Sequence, residues 1–224
     1  MPPFERIDGR PELSQQVYQQ LLAAICEGRL APGARVTQEE LAESLNVSRQ
    51  PVHQALRLLK NEGFVVDAGR RGLMVAPLDG ASLEQLYQVR GVLDGLAARL
   101  AAQSGKRLDP GLVARGRKVV AAGKVGAMIE ADMHFHQCLY EASGNPLIAQ
   151  TAGRQLQHIA RAMGVALGRP QMPGTVWDEH EAILAAVNAG EAAKAETLAR
   201  RHCEGAGRIL STQLQATMRK EASR

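Results

Sequence analysis

Residues 45–59 read LNVSRQPVHQALRLL, with a proline in the middle of a helical-looking apolar pattern. Val52, Ala55, Leu56 and Leu59 step by three and four, the spacing of one buried helix face. In the interior of such a helix Pro51 would remove a hydrogen bond and break it. In the first turn it costs little, because the N–H groups there have no intrahelical partner. Ser48 therefore reads as an N-cap, and Pro51 starts a helix rather than ending one. That helix runs through Leu59 and stops near Gly63.

Upstream, Val17, Leu21, Leu22 and Ile25 mark a helix that Gly28 ends, and Ala31-Pro32-Gly33-Ala34 is a turn. Thr37-Gln38-Glu39-Glu40 has the spacing of a capping box, ahead of a short apolar face at Leu41, Ala42 and Leu45. Asn46 suits the turn that follows. Two short helices joined by a tight turn, the second opening on Ser-Arg-Gln, make a helix-turn-helix pattern. Phe64-Val65-Val66 and Leu73-Met74-Val75 then read as paired strands around a glycine-framed turn carrying Arg70 and Arg71. A basic hairpin beside a helix-turn-helix is a wing.

This context sorts the residues that could touch nucleic acid. Ser48, Arg49, Gln50 and His53 are candidates for base and phosphate contacts, since Arg can grip guanine with two bonds and Gln can pair with adenine. Arg70, Arg71 and Gly72 at the wing tip, and Arg35 after the Pro-Gly turn, are candidates for the phosphates. Taken singly, Ser48 is only a cap and each arginine a solvated charge; the surrounding motif favours DNA. Global charge adds little. The chain carries a net +4, but residues 1–78 hold nine Lys/Arg and nine Asp/Glu, so local clustering must carry the case.

Ala76-Pro77-Leu78-Asp79-Gly80 changes the composition and reads as a linker. Beyond it strand signals vanish, and helices are expected at 82–103, 110–124, 126–143, 145–168, 175–189 and 191–218. Only 3% of the 224 residues are aromatic, while Ala and Leu abound, a composition that favours packed helices. No apolar run approaches a membrane span, and the start MPPFERIDGRPELS lacks the apolar core of a signal peptide. Three unclustered cysteines, Cys26, Cys138 and Cys203, fit a reducing cytoplasm without a disulfide framework.

Helical phase sorts the histidines of this half. Met128, Ile129, Asp132, His136 and Leu139 share one face, so Asp132 and His136, one turn apart, can converge on one ion. His180 lies with Trp177, Ile183, Leu184 and Val187, and His202 with Leu198, Ala206, Ile209 and Leu210. His134 belongs to a polar face with Glu130, Gln137 and Glu141. From the residues alone, His136, His180 and His202 are either hydrogen-bonded core histidines or metal ligands with Asp132, whose buried charge a cation would offset.

Gly28-Arg29-Leu30-x-Pro32-Gly33, Leu41-Ala42, Val47-Ser48-Arg49-x-Pro51-Val52-x-x-Ala55-Leu56 and Glu62-Gly63 resemble the winged-helix domain of GntR-family transcription regulators. The resemblance covers residues 14–78. It departs at His53 and Gln54, where the family usually has Arg and Glu; that Arg commonly contacts DNA. The second half resembles the FCD ligand-binding domain of the FadR branch, through Arg90-x-x-Leu93-Asp94, Asp132-x-x-Phe135-His136, Ser143-Gly144-Asn145-Pro146, Glu179-His180 and His202. Asp94 stands where Glu is commoner.

The resemblance implies a divalent metal held by Asp132, His136, His180 and His202. Three imidazoles and a carboxylate suit Zn²⁺ first, with Ni²⁺ or another borderline transition metal also compatible. It also implies a small organic acid as effector, with Arg90 reaching it; the plainer reading of Arg90 is an ion pair with Asp94 one turn on.

The expectation is thus a mostly α chain. Residues 1–78 form a winged helix-turn-helix that binds operator DNA. Residues 79–224 form an all-α antiparallel bundle that binds metal and effector and dimerises. The protein would be a cytoplasmic homodimeric regulator, a repressor more often than an activator, with no membrane partner. One rival is a metal-dependent enzyme using the same His/Asp site, although His180-Glu181-x-x-Leu184 fails the HExxH pattern. The other is a DNA-binding structural dimer without an effector.

Overall fold

The computed structural model describes residues 11–69, 72–166 and 175–222. The chain divides into two compact units, Met1–Pro77 and Leu78–Arg224.

In the first unit the elements are α1 (Pro11–Cys26), β1 (Arg35–Val36), α2 (Gln38–Ser44), α3 (Arg49–Asn61), β2 (Val65–Asp67) and β3 (Leu73–Val75). Ser48 is extended at the N-cap position and Pro51 falls in the first turn of α3. The Ser48 side chain makes no capping bond, so the start of α3 rests on the turn and on Pro51. At α2 the Thr37 hydroxyl accepts from the Glu40 N–H at 3.2 Å and donates to the Glu40 carboxylate at 2.7 Å. Glu40 therefore reaches the Thr37 hydroxyl, where a capping box would take it to the backbone N–H. Asn46 carries the tight α2–α3 turn with φ 51°, a left-handed conformation that Asn tolerates better than most residues.

Val52, Ala55, Leu56 and Leu59 are buried against Val17, Leu21, Leu22 and Ile25 of α1. Burying each Val, Leu or Ile of this set contributes about 1.5–3 kcal/mol. β2 and β3 form the expected antiparallel hairpin, and β1 pairs with the other edge of β3, giving the order β1-β3-β2. This third strand is too short to show an alternating pattern in sequence. Arg70 and Arg71 lie outside the described residues.

In the second unit α4 (Gly80–Ser104), α5 (Gly111–Ala121), α6 (Val125–Ala142), α7 (Pro146–Ala166), α8 (Thr175–Asn188) and α9 (Ala192–Ala222) follow in order. They match the six expected helices, with the largest differences at the ends of α5 and α9. The most extensive packing is between α4 and α9. These two run antiparallel: Gly80 faces Ser211 and Gln215, Gly95 faces Arg200, and Gly207 faces Tyr87. A Cβ at Gly95 would meet the Arg200 side chain at 2.6 Å, and one at Gly207 would meet Tyr87 Cβ at 2.6 Å. The glycines let the helices approach closely, which brings Arg90 and Asp94 beside His202 and Cys203. Phe135, Leu139, Trp177, Ile183 and the alanine face of α4 fill the main core.

Candidate functional sites

Three helices supply the polar cluster inside the bundle. α6 presents Asp132 and His136 one turn apart, α8 presents His180, and α9 presents His202, all buried. One donor atom from each lies within 4.8 Å of the other three, a grouping that could hold a metal ion. His180 Nε2 is 3.1 Å from His202 Nε2 and 3.5 Å from Asp132 Oδ1. His136 Nε2 is 3.9 Å from Asp132 Oδ2 and has no hydrogen-bond partner among the described residues. A core histidine without a cation should find such a partner for both ring nitrogens. Here the Nε2 atoms turn toward one another and toward a carboxylate, which is the chemistry of a ligand set.

The far sides of two rings are anchored. His136 Nδ1 lies 2.9 Å from Asp94 Oδ2 and His202 Nδ1 lies 2.7 Å from Glu179 Oε2. Carboxylates behind ligating imidazoles fix the ring and its tautomer. Asp94 is itself a hub: Tyr140 donates to Oδ1, Cys203 donates to Oδ2 at 3.0 Å, and Arg90 Nε lies 3.4 Å from Oδ2.

Burial pushes the Asp94 carboxyl up, but Arg90 and His136 outweigh it and hold the group well below the usual carboxylate range. Burial would lower Arg90, and Asp94 more than offsets this, keeping the guanidinium charged. Burial, reinforced by Arg90 and opposed by Asp94, lowers His136. Burial and then His202 and His136 hold His180 well below the ordinary histidine value. Burial, then Asp94, raises the Cys203 thiol. Neutral imidazoles beside an ionised hub are the protonation states a cation needs.

Arg90 makes the Asp94 contact and also lines a pocket with Tyr87, Asp132 and His202. It is 2% exposed, and its Nη2 has no hydrogen-bond partner among the described residues. His134 is exposed and lies 3.8 Å from Cys138 Sγ, away from the cluster. The sequence reading left Cys203 as one of three unclustered cysteines; in the structure its buried thiol donates to Asp94. Neither Glu179 nor Asp94 was singled out there as an anchor for an imidazole.

In the first unit Ser48, Arg49, Gln50 and His53 are all exposed at the N-terminal end of α3. The Arg49 guanidinium pairs with the Glu39 carboxylate of α2. Gln54, in the place of the Glu seen in the resembling family, accepts from Ser14 of α1. Arg35 is exposed on β1 and Gly72 precedes β3 with φ 108°.

Residues 13–75 match the gntR family of bacterial regulatory proteins, and residues 85–205 match the FCD domain. The chain belongs to the GntR family. It is 32% identical over 193 residues to an uncharacterized HTH-type transcriptional regulator in an unstable DNA locus of Streptomyces ambofaciens, covering 84% of this chain and 80% of that protein. It is 28% identical to the uncharacterized HTH-type regulator YdhC of Bacillus subtilis, over 58% of this chain and 60% of that protein. The solved structure of E. coli McbR/YncC superposes with a TM-score of 0.76 at 21% identity, covering 90% of this chain and 98% of that one; this likeness shows the fold alone. A GntR-family chain with an FCD domain is a DNA-binding transcription regulator and not an enzyme. No helix among the described residues is long and apolar enough to cross a membrane.

Proposed function

We propose that this GntR-family protein is a metal-loaded, metabolite-responsive repressor that binds a two-fold operator as a homodimer in the cytoplasm. Residues 1–78 bind DNA, and residues 79–224 hold the metal and effector and dimerise. Arg35, Ser48, Arg49, Gln50, His53, Arg70, Arg71 and Gly72 form the DNA-contacting set. Asp132, His136, His180 and His202 hold one divalent ion, with zinc the first choice for three imidazoles and a carboxylate. The observation that carries this reading is the convergence of those four buried donors within 4.8 Å, two of them braced by Asp94 and Glu179.

The effector is a small organic acid. Arg90 supplies a buried guanidinium donor whose Nη2 lacks an acceptor among the described residues, and a carboxylate fits it. When bound, the metal supplies a Lewis-acidic position for the same anion. Arg90 already touches Asp94, which touches His136, so anion binding and metal geometry are coupled through one side chain. α4, which carries Arg90 and Asp94, begins at Gly80, shortly after Pro77, so a shift of α4 passes along the chain toward the winged helix.

The test is operator release. Duplexes selected from a randomised library by the full-length protein are titrated at fixed salt with and without small organic acids. We expect some acid to weaken binding by tenfold or more, and only in metal-loaded protein. Release by none of them, or equal release after chelation, contradicts the reading.

A further inference from the structure

We propose that the pocket beside the metal cluster takes a monocarboxylate with an apolar body and a hydroxyl at its far end, rather than a di- or tricarboxylate or a polyol acid. This rests on the effector reading above and names the class of acid.

The pocket is a narrow cavity of about 40 Å³ that opens to solvent. Its polar groups sit at two ends. At one end are Arg90, Asp132 and His202; at the other is Gln213. Between them the wall is mostly apolar, with Tyr87 of α4, Met163 of α7, Val176 of α8, and Ala206, Ile209 and Leu210 of α9. His202, Ala206, Ile209 and Gln213 step by four, three and four, so α9 presents one continuous strip. At a rise of 1.5 Å per residue, His202 and Gln213 stand roughly 16 Å apart along α9, so an acid that meets both ends needs an extended apolar chain.

Two buried polar atoms lack partners among the described residues, one at each end. Arg90 Nη2 is a donor without an acceptor and Gln213 Oε1 is an acceptor without a donor. Leaving such groups unsatisfied is costly, so each asks for a ligand atom of the opposite kind. A carboxylate satisfies the first and a hydroxyl the second. Among the described residues lining the pocket, Arg90 is the sole Lys or Arg. A second carboxylate at the far end would meet no Lys or Arg among the described lining residues, a charge without a counter-ion beside an apolar wall. Ile209 is a large apolar residue left 45% exposed at this pocket, and a ligand tail would cover it.

The experiment uses zinc-loaded full-length protein and reads binding by thermal shift and calorimetry. The probes are butyrate, hexanoate and octanoate, their ω-hydroxy forms, adipate and citrate. At the best chain length the ω-hydroxy acid should bind about tenfold tighter than its parent, and the parent tighter than adipate or citrate. Gln213→Leu should reverse the order of the hydroxy acid and its parent. Ile209→Arg, at a partly exposed position, should raise adipate above hexanoate; the melting temperature of unliganded protein checks that each variant folds. Tightest binding by adipate or citrate overturns the proposal while leaving the organic-acid reading standing. An unchanged ranking in both variants also overturns it, because the tail then does not lie along α9. Binding by no acid of any class removes the effector reading itself, and the proposal with it.

Discussion

His180 Nε2 and His202 Nε2 lie 3.1 Å apart inside the bundle, on helices α8 and α9. Two imidazole nitrogens at this separation share a single proton or turn both lone pairs on a cation. Glu179 on His202 Nδ1 favours the second arrangement, because it places the His202 proton on Nδ1 and leaves Nε2 free to ligate. His202→Ala should therefore lose the metal while His134→Ala keeps it, since His134 is exposed and faces Cys138. Elemental analysis of both variants checks this, and equal loss would count against the ligand set.

The outer carboxylates should separate affinity from stability. Glu179→Ala removes the brace on His202 from a half-exposed position, so zinc affinity should fall by roughly 10–100-fold with little change in the metal-free melt. Asp94→Ala leaves the buried Arg90 guanidinium without its carboxylate, which should destabilise the metal-free protein by roughly 3–5 kcal/mol. Urea melts and competitive zinc titrations read the two effects. A metal-free melt unmoved by Asp94→Ala would show that Arg90 is not held as described.

Acid should destabilise this protein through its histidines. His136 and His180 are held below their ordinary value by burial and neighbouring cations. A histidine with a depressed folded pKa stabilises the fold fully above its unfolded pKa, about 6.5. That contribution is lost as pH falls toward the folded pKa, because the unfolded chain then binds more protons. Asp94, also depressed, acts in the same direction at lower pH. The unfolding free energy of metal-free protein should be flat above pH 7 and decline below about 6.5, by up to ~1.4 kcal/mol per pH unit for each histidine. Zinc should leave over the same range. Stability that holds level down to pH 5 in denaturant melts contradicts the burial assigned to these rings.

On the DNA side, the proposed reader Arg49 is exposed, and Glu39 holds its guanidinium. Arg49→Ala should erase about 1–3 kcal/mol of discrimination between selected and scrambled duplexes. Arg71→Ala should weaken binding to every sequence and flatten the salt dependence. Salt-matched titrations separate the two. Wild-type preference in the first variant, or an unchanged salt slope in the second, would take that residue off the contact surface.

Much of this was readable from local periodicity. Pro51 in a first turn marks α3, and the i, i+4 spacing of Asp132 and His136 marks one inward face, because both depend only on residues a turn apart. His180 and His202 were legible as polar members of apolar faces. The Asp94–His136 and Asp94–Cys203 contacts were not, since they depend on how α4 docks on α6 and α9. Glycines such as Gly95 and Gly207 permit that docking without announcing its register. Glu179 was hidden for the opposite reason: it is half exposed beside a buried histidine, and its role comes from α9 bringing His202 to it. β1, at two residues, is too short for any period to show.

The most direct test of the metal centre is zinc stoichiometry joined to melting. Protein reconstituted with zinc and desalted is analysed for metal and melted before and after chelation. We expect about one zinc per chain. Binding to the folded state alone stabilises by ~2.7 kcal/mol at one hundred times the dissociation constant, so chelation should lower the melting temperature by roughly 5–10 °C. No bound metal after reconstitution, or a melt that chelation does not move, would contradict a centre built from Asp132, His136, His180 and His202.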